Sequence, residues 1–177
     1  METTQTKQPG CNIFLIGFMG AGKSTIAEEL KRQLHLELIE MDQLIEEQQG
    51  MPITEIFAKY GEDHFRRLET EMLVSFQNRT NMVVSCGGGI VVRPENQEHM
   101  KRSGKVVLLT ATPETVYERV KDSKNRPVLN GHMNVEYIAG LQKKRRALYE
   151  AAADIVVATD GKTPEEICRE IAAHFTS

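Results

Sequence analysis

Gly17-Phe18-Met19-Gly20-Ala21-Gly22-Lys23-Ser24 follows the apolar run Asn12–Ile16 (NIFLI) and opens the helix-patterned stretch Lys23–Leu34. It fits G-x-x-x-x-G-K-[ST] in full and in the strand, loop, helix context that the pattern requires. A chance match somewhere in a chain of this size is under about one in a hundred. The residue types explain themselves physically. Glycines let backbone N–H groups turn inward around a polyphosphate, and the start of a helix adds positive potential at the same place. A lysine at position 23 bridges β- and γ-phosphates as a point charge, and the Ser24 hydroxyl is a ligand for Mg²⁺. The predicted phosphate site spans Gly20, Ala21, Gly22, Lys23, Ser24 and Thr25.

Outward from this loop, three further short apolar runs stand out, Met82–Ser85 (MVVS), Lys105–Leu109 (KVVLL) and Asp154–Ala158 (DIVVA), with a weaker one at Leu36–Glu40 (LELIE). Most do not alternate, which suits strands covered on both faces, as in a parallel sheet between helices. Helical segments lie between them. Thr112-Pro113 supplies an N-cap and N1 proline for Glu114–Lys121, and Thr163-Pro164-Glu165-Glu166 forms a capping box. The alternation predicts an α/β fold, a three-layer α/β/α sandwich with a parallel sheet, and puts any ligand at the carboxyl ends of the strands.

More chain separates the second and third runs than one crossover needs. Met41–Gln49, Pro52–Tyr60 and Gly61–Asn78 read as three helical pieces, a substrate-binding insertion over residues 41–78. Asp122–Met133 (DSKNRPVLNGHM) reads as a lid loop before a helix at Val135–Glu150. The remainder, 11–177, is expected to be one domain, preceded by a polar, disordered leader over residues 1–10.

Composition narrows the function. With 177 residues, 40% hydrophobic and 27% charged, the chain excludes disorder, collagen-like repeats and coiled-coil rods. A net charge of −3 gives no basic footprint for nucleic acid. No run approaches the roughly 18 apolar residues of a membrane span. Three widely spaced cysteines, Cys11, Cys86 and Cys168, suit neither a disulfide framework nor a zinc site, and a reducing, cytoplasmic setting is expected. With no apolar stripe evident, a monomer is expected. The five histidines have no ligand spacing.

The other strand-end loops carry the remaining chemistry. Glu40 and Asp42 stand two apart after the second strand; at period 2 both point to one side, one toward a metal and the other toward an acceptor hydroxyl. The alternative is a solvated strand end that caps Met41–Gln49. Gly87-Gly88-Gly89 ends the third strand and reads either as close backbone approach to a ligand or as a tight turn needing positive φ. Cys86 beside it reads as a small core residue. Arginines recur: Arg66 and Arg67 in the insertion, Arg119 before the lid, Arg126-Pro127 within it, and Arg145 and Arg146 after it. Arg126 is placed to stabilise a transferring phosphate, and Arg66 with Arg145 to clamp a carboxylate; against this, Arg66 and Glu69 are spaced i,i+3 to pair with each other.

A phosphate loop alone does not separate kinases from ATPases, GTPases and switches. No [NT]-K-x-D guanine motif is present, and no strand ends in the Asp-Glu pair of a motor ATPase. Size, insertion and lid favour phosphoryl transfer to a small molecule. A gluconate kinase-like enzyme and an ATP-binding regulatory module without turnover stay open at this stage.

Taken together, G-F-M-G-A-G-K-S, E-M-D-x-x-I-E at Glu40–Glu46, F-R-R-L-E at Phe65–Glu69, G-G-G at Gly87–Gly89 and R-P-V-L at Arg126–Leu129 resemble the shikimate kinase family, from about Asn12 to Phe175. The resemblance implies a nucleoside-monophosphate-kinase-like fold with a five-stranded parallel sheet. It implies transfer of the γ-phosphoryl group of ATP, with Mg²⁺, to the 3-hydroxyl of shikimate, on the route to chorismate and aromatic amino acids. It makes Asp42 the carboxylate that holds and deprotonates that hydroxyl, and Arg66 and Arg145 the carboxylate clamp, with Gly88 and Gly89 completing the pocket. Lys23 and Arg126 then stabilise the γ-phosphoryl group, Ser24 and Glu40 face the metal, and Arg119 with Lys162, Thr163 and Pro164 flank the adenine. Two positions depart from the family pattern: Glu40 stands where Asp is usual, and R-x-P-L-Y appears as Arg145-Arg146-Ala147-Leu148-Tyr149.

Overall fold

The computed structural model describes residues 9–122 and 134–175. Five strands, β1 (Asn12–Ile16), β2 (Glu37–Glu40), β3 (Met82–Ser85), β4 (Gly104–Thr110) and β5 (Ile155–Ala158), form one parallel sheet in the order β2-β3-β1-β4-β5. The strand leading into the glycine loop is therefore the middle one. Its register runs from Ile13 against Val83 to Leu15 against Ser85 on one side, and from Asn12 against Gly104 to Ile16 against Leu108 on the other. All five β1 residues are buried, which explains its unbroken apolar run. The one polar member, Asn12, is satisfied where it lies: its amide donates to Arg79 O at 2.8 Å and accepts from Met82 N at 3.1 Å.

Successive β1 side chains enter different layers. Ile13 and Leu15 pack with Val83, Val107 and Val157 against α1 (Lys23–Leu34) and α8 (Pro164–Ala173), through Ile26, Leu30, Ile167 and Ile171. Phe14 and Ile16 face the opposite layer with Val84, Val106 and Leu108. That layer holds α4 (Glu62–Ser75), α5 (Pro94–Ser103), α6 (Pro113–Val120) and α7 (Val135–Ala152). The remaining helices, α2 (Met41–Gln49) and α3 (Ile53–Tyr60), join α4 in the insertion. Each fully buried aliphatic or aromatic side chain of this core contributes roughly 1.5–3 kcal/mol.

One sequence expectation is corrected. The run at 154–158 is not covered on both faces: β5 is an edge strand whose Ile155 and Val157 are buried while Val156 and Ala158 are exposed. Helix α5 fills the helical slot that the alternation expects between the third and fourth runs. Of the leader, residues 1–8 lie outside the described residues, as does the lid reading from residue 123 to 133. Among the described residues no helix is long and apolar enough to cross a membrane.

Candidate active site

The β1 loop turns through three positive-φ glycines, Gly17, Gly20 and Gly22. At Gly17 a side chain would overlap Leu109 O of the neighbouring strand's end, so close approach as well as φ excludes other residues. Gly22 caps α1 without a side-chain acceptor, so the first N–H groups of α1 remain for a ligand. The Lys23 ammonium donates to Gly17 O at 2.5 Å and to Phe18 O at 3.2 Å, which holds it over the loop. Ala21 is buried beneath the loop, whereas Ser24 and Thr25 are exposed at the start of α1.

Glu40 ends β2, and its Oε2 accepts from Ser24 Oγ at 3.2 Å. The longer carboxylate thus reaches the phosphate-loop hydroxyl directly. These are two hard oxygen donors, and no cluster of three His, Cys, Asp or Glu ligands exists among the described residues. The pair fits Mg²⁺, which keeps waters and takes phosphate oxygens rather than an all-protein cage. Asp42 is a correction in geometry: it lies in the first turn of α2, not on a continuing strand, so period 2 does not align it with Glu40. Helix start brings it instead over the glycine triplet.

That triplet lines a cavity of about 530 Å³ with Met19, Asp42, Glu46, Ile53, Thr54, Phe57, Phe65, Arg66, Glu69 and Arg145. The insertion supplies most of the wall, the triplet and the phosphate loop its floor. The triplet does turn, Ile90 N donating to Gly87 O at 3.1 Å, but none of Gly87, Gly88 and Gly89 has a positive φ, so the turn does not require glycine by its backbone angles. At Gly87 and Gly89 the need for glycine is spatial. A Cβ on Gly87 would stand 2.8 Å from Asp42 Oδ1 and 3.1 Å from Glu69 Oε2, and one on Gly89 would overlap the Arg66 guanidinium.

Arg66 is 8% exposed and Glu69 fully buried. Nη1 of Arg66 donates to Glu69 Oε1 at 2.7 Å, and Nη2 to Glu62 Oε1 at 3.2 Å. Arg66 therefore pairs along α4, as its spacing from Glu69 predicts, and also lines the cavity. Burial pushes the Glu69 carboxyl up to about 7 against the pull of Arg66, with Asp42 adding to the rise. Burial also works against the Arg66 charge, but Glu69 and Glu62 outweigh it and raise its pKa. Arg145, from α7, donates to Gly88 O at 3.2 Å. Arg146 faces elsewhere, lining a separate cavity of about 110 Å³ with Phe18, Leu108 and Tyr149.

On the other flank of the phosphate loop, Arg119 of α6 donates to Gly20 O at 2.9 Å and to Thr159 Oγ1 at 3.2 Å. Lys162 pairs with Glu170 at 2.8 Å, and Thr163 caps α8, accepting from Glu166 N while Glu166 Oε2 accepts from Thr163 N; Pro164 follows at N1. Arg119, Thr159 and the β5 loop therefore stand together beside the phosphate site. Arg126 lies outside the described residues. Cys86 is buried, and its thiol is pushed up by that burial, as befits a core residue. Sequence reasoning missed Glu46, whose Oε2 accepts from Ile53 N at 3.1 Å and ties α2 to α3, and Tyr149, which donates to Gly88 O. Both sit i,i+4 from a residue already singled out, Asp42 and Arg145, and that spacing was the available signal.

The geometry accords with the comparisons. A family model described as shikimate kinase matches residues 19–176. A shikimate kinase of Geobacter metallireducens is 41% identical over 177 residues, covering 99% of this chain and 98% of its own. One of Thermodesulfovibrio yellowstonii is 39% identical over 164 residues, covering 93% and 94%. Among solved structures, shikimate kinase from Acinetobacter baumannii in complex with shikimate superposes with a TM-score of 0.85 at 34% identity, covering 91% of this chain and 90% of that one. An ATP-dependent kinase fold, a phosphate loop beside a cavity lined by two arginines and an aspartate, and relatives matched along the whole chain lead to one conclusion: this chain belongs to the shikimate kinase family.

Proposed function

We propose that the cavity takes shikimate with its carboxylate between Arg66 and Arg145 and its 3-hydroxyl at Asp42, facing a γ-phosphoryl group presented by Gly20 to Thr25. The observation that carries this reading is that two arginines from different helices and the Asp42 carboxylate line one cavity beside the phosphate loop. Two cations suit a planar carboxylate, and neutral polyols have no use for them. Backbone groups of Gly88 and Gly89 complete the floor.

Asp42 orients the acceptor hydroxyl and takes its proton as the oxygen forms a bond to the γ-phosphorus and the bond to the β,γ-bridging oxygen breaks. Lys23 moves from its loop carbonyls onto the phosphates, and Arg126 adds charge at the transferring group. Ser24 and Glu40 would hold Mg²⁺, which when bound neutralises β- and γ-phosphate charge. Arg119, with Lys162, Thr163 and Pro164, flanks the adenine. Most of the acceleration comes from positioning and electrostatics, as a loose transition state requires. The reading includes a monomer, since one chain supplies every named group of the cavity, and a cytoplasmic location, where ATP is available.

Asp42→Asn keeps the shape of the site and removes the proton acceptor. We expect kcat to fall by about 10²-fold or more, in the range of general-base effects, with MgADP affinity changed less than about twofold. A variant with native kcat would remove Asp42 from the chemistry.

A further inference from the structure

Tyr149 stands one helical turn beyond Arg145 on α7, and both side chains end on the same atom. Its phenol donates to Gly88 O at 2.5 Å, where Arg145 Nη1 also donates at 3.2 Å. Tyr149 is 5% exposed, and its burial pushes the phenol pKa up, so it keeps the proton that it donates. The contact joins α7 to the floor of the cavity from behind, through the apolar layer that includes Phe18 and Leu108.

A peptide group is planar and trans, so the Gly88 carbonyl and the Gly89 N–H point in opposite directions. Holding the carbonyl against α7 turns the amide away from α7. On Gly89 there is no room for a side chain, because the Arg66 guanidinium occupies that space. One peptide thus sits between the two arginines, inside a turn that Ile90 N closes on Gly87 O at 3.1 Å, and its carbonyl is held by Tyr149 and Arg145 alone among the described side chains.

We infer that Tyr149 is a positioning residue of the carboxylate pocket: its phenol locks the Gly88–Gly89 peptide, which in turn anchors Arg145 and presents the Gly89 amide beside Arg66. This rests on the reading of Arg66 and Arg145 as a carboxylate clamp. Tyr149 itself touches no substrate. Its effect is therefore confined to ligands that carry the carboxylate.

The test is calorimetric binding of shikimate and of shikimate methyl ester to the native chain and to Tyr149→Phe, with MgADP affinity measured alongside. The substitution removes one oxygen and keeps the ring. Loss of one neutral hydrogen bond predicts a roughly three- to tenfold weaker Kd for shikimate. The Kd for the methyl ester and for MgADP should each change by less than about twofold. An equal loss for acid and ester, a loss shared with MgADP, or no change for shikimate would each overturn the role of Tyr149. A native chain that binds acid and ester alike would remove the clamp itself, which separates failure of the underlying reading from failure of this one.

Discussion

Glu69 is a buried carboxyl satisfied on one oxygen only. One carboxylate oxygen is held by Arg66 at 2.7 Å, while Oε2 is buried with no hydrogen-bond partner among the described residues. Burial raises its pKa from 4.5 to about 7. The folded chain therefore keeps a proton that the unfolded chain releases near pH 4.5, and the stability from that proton is complete below this pH and lost as pH rises through about 7. The loss is on the order of 3 kcal/mol. Glu69→Gln has no such titration, so urea unfolding between pH 4.5 and 8 should show the variant gaining on the native chain by that order. Parallel pH profiles would contradict this. The F-R-R-L-E stretch made the Arg66–Glu69 pairing legible through its i,i+3 spacing. Its burial was not, because two charged residues give no sequence sign that they turn inward. Asp42 shows the same division: the carboxylate was legible, but its placement depends on α2 starting at Met41, immediately after β2.

Among the elements, α8 was legible because its start signal is local. Thr163 and Glu166 exchange hydrogen bonds of 3.2 and 2.8 Å, as T-P-E-E predicts. Thr163→Ala should cost about 1 kcal/mol, a thermal midpoint lower by roughly 2–4 °C, with KM for ATP within about twofold, because the hydroxyl is already engaged by the helix. A raised KM at an unchanged midpoint would assign that hydroxyl to the nucleotide instead. Helix α5 was expected from the alternation, but its bounds were not legible. Its buried face includes Asn96, satisfied by Thr70 Oγ1 at 2.8 Å and Ile90 O at 2.9 Å, so a polar residue occupies a core position and breaks the apolar pattern. In β5 the edge position left one face open, and β-branched residues alone did not reveal it.

At the scale of the whole molecule, the parallel sheet and the gathering of function at its carboxyl edge followed from the alternation of runs and helices. The strand order did not, since it depends on which crossovers pass over β1. That order places the β3 triplet on one side of the phosphate loop and the β4 end on the other, so that the insertion and α7 meet across one cavity. Likewise the sequence analysis singled out Arg145 over its neighbour Arg146, and the rotation of α7 sends the first to the cavity and the second away from it. The central claim is that this assembly passes phosphate to shikimate, held with its carboxylate between Arg66 and Arg145 and its 3-hydroxyl at Asp42. The most direct measurement is ADP production from MgATP with shikimate, quinate, gluconate or no acceptor, with Lys23→Ala as control. Turnover selective for shikimate and abolished in the control is the predicted result; selective turnover of gluconate, or tight ATP binding without turnover on any acceptor, would contradict it.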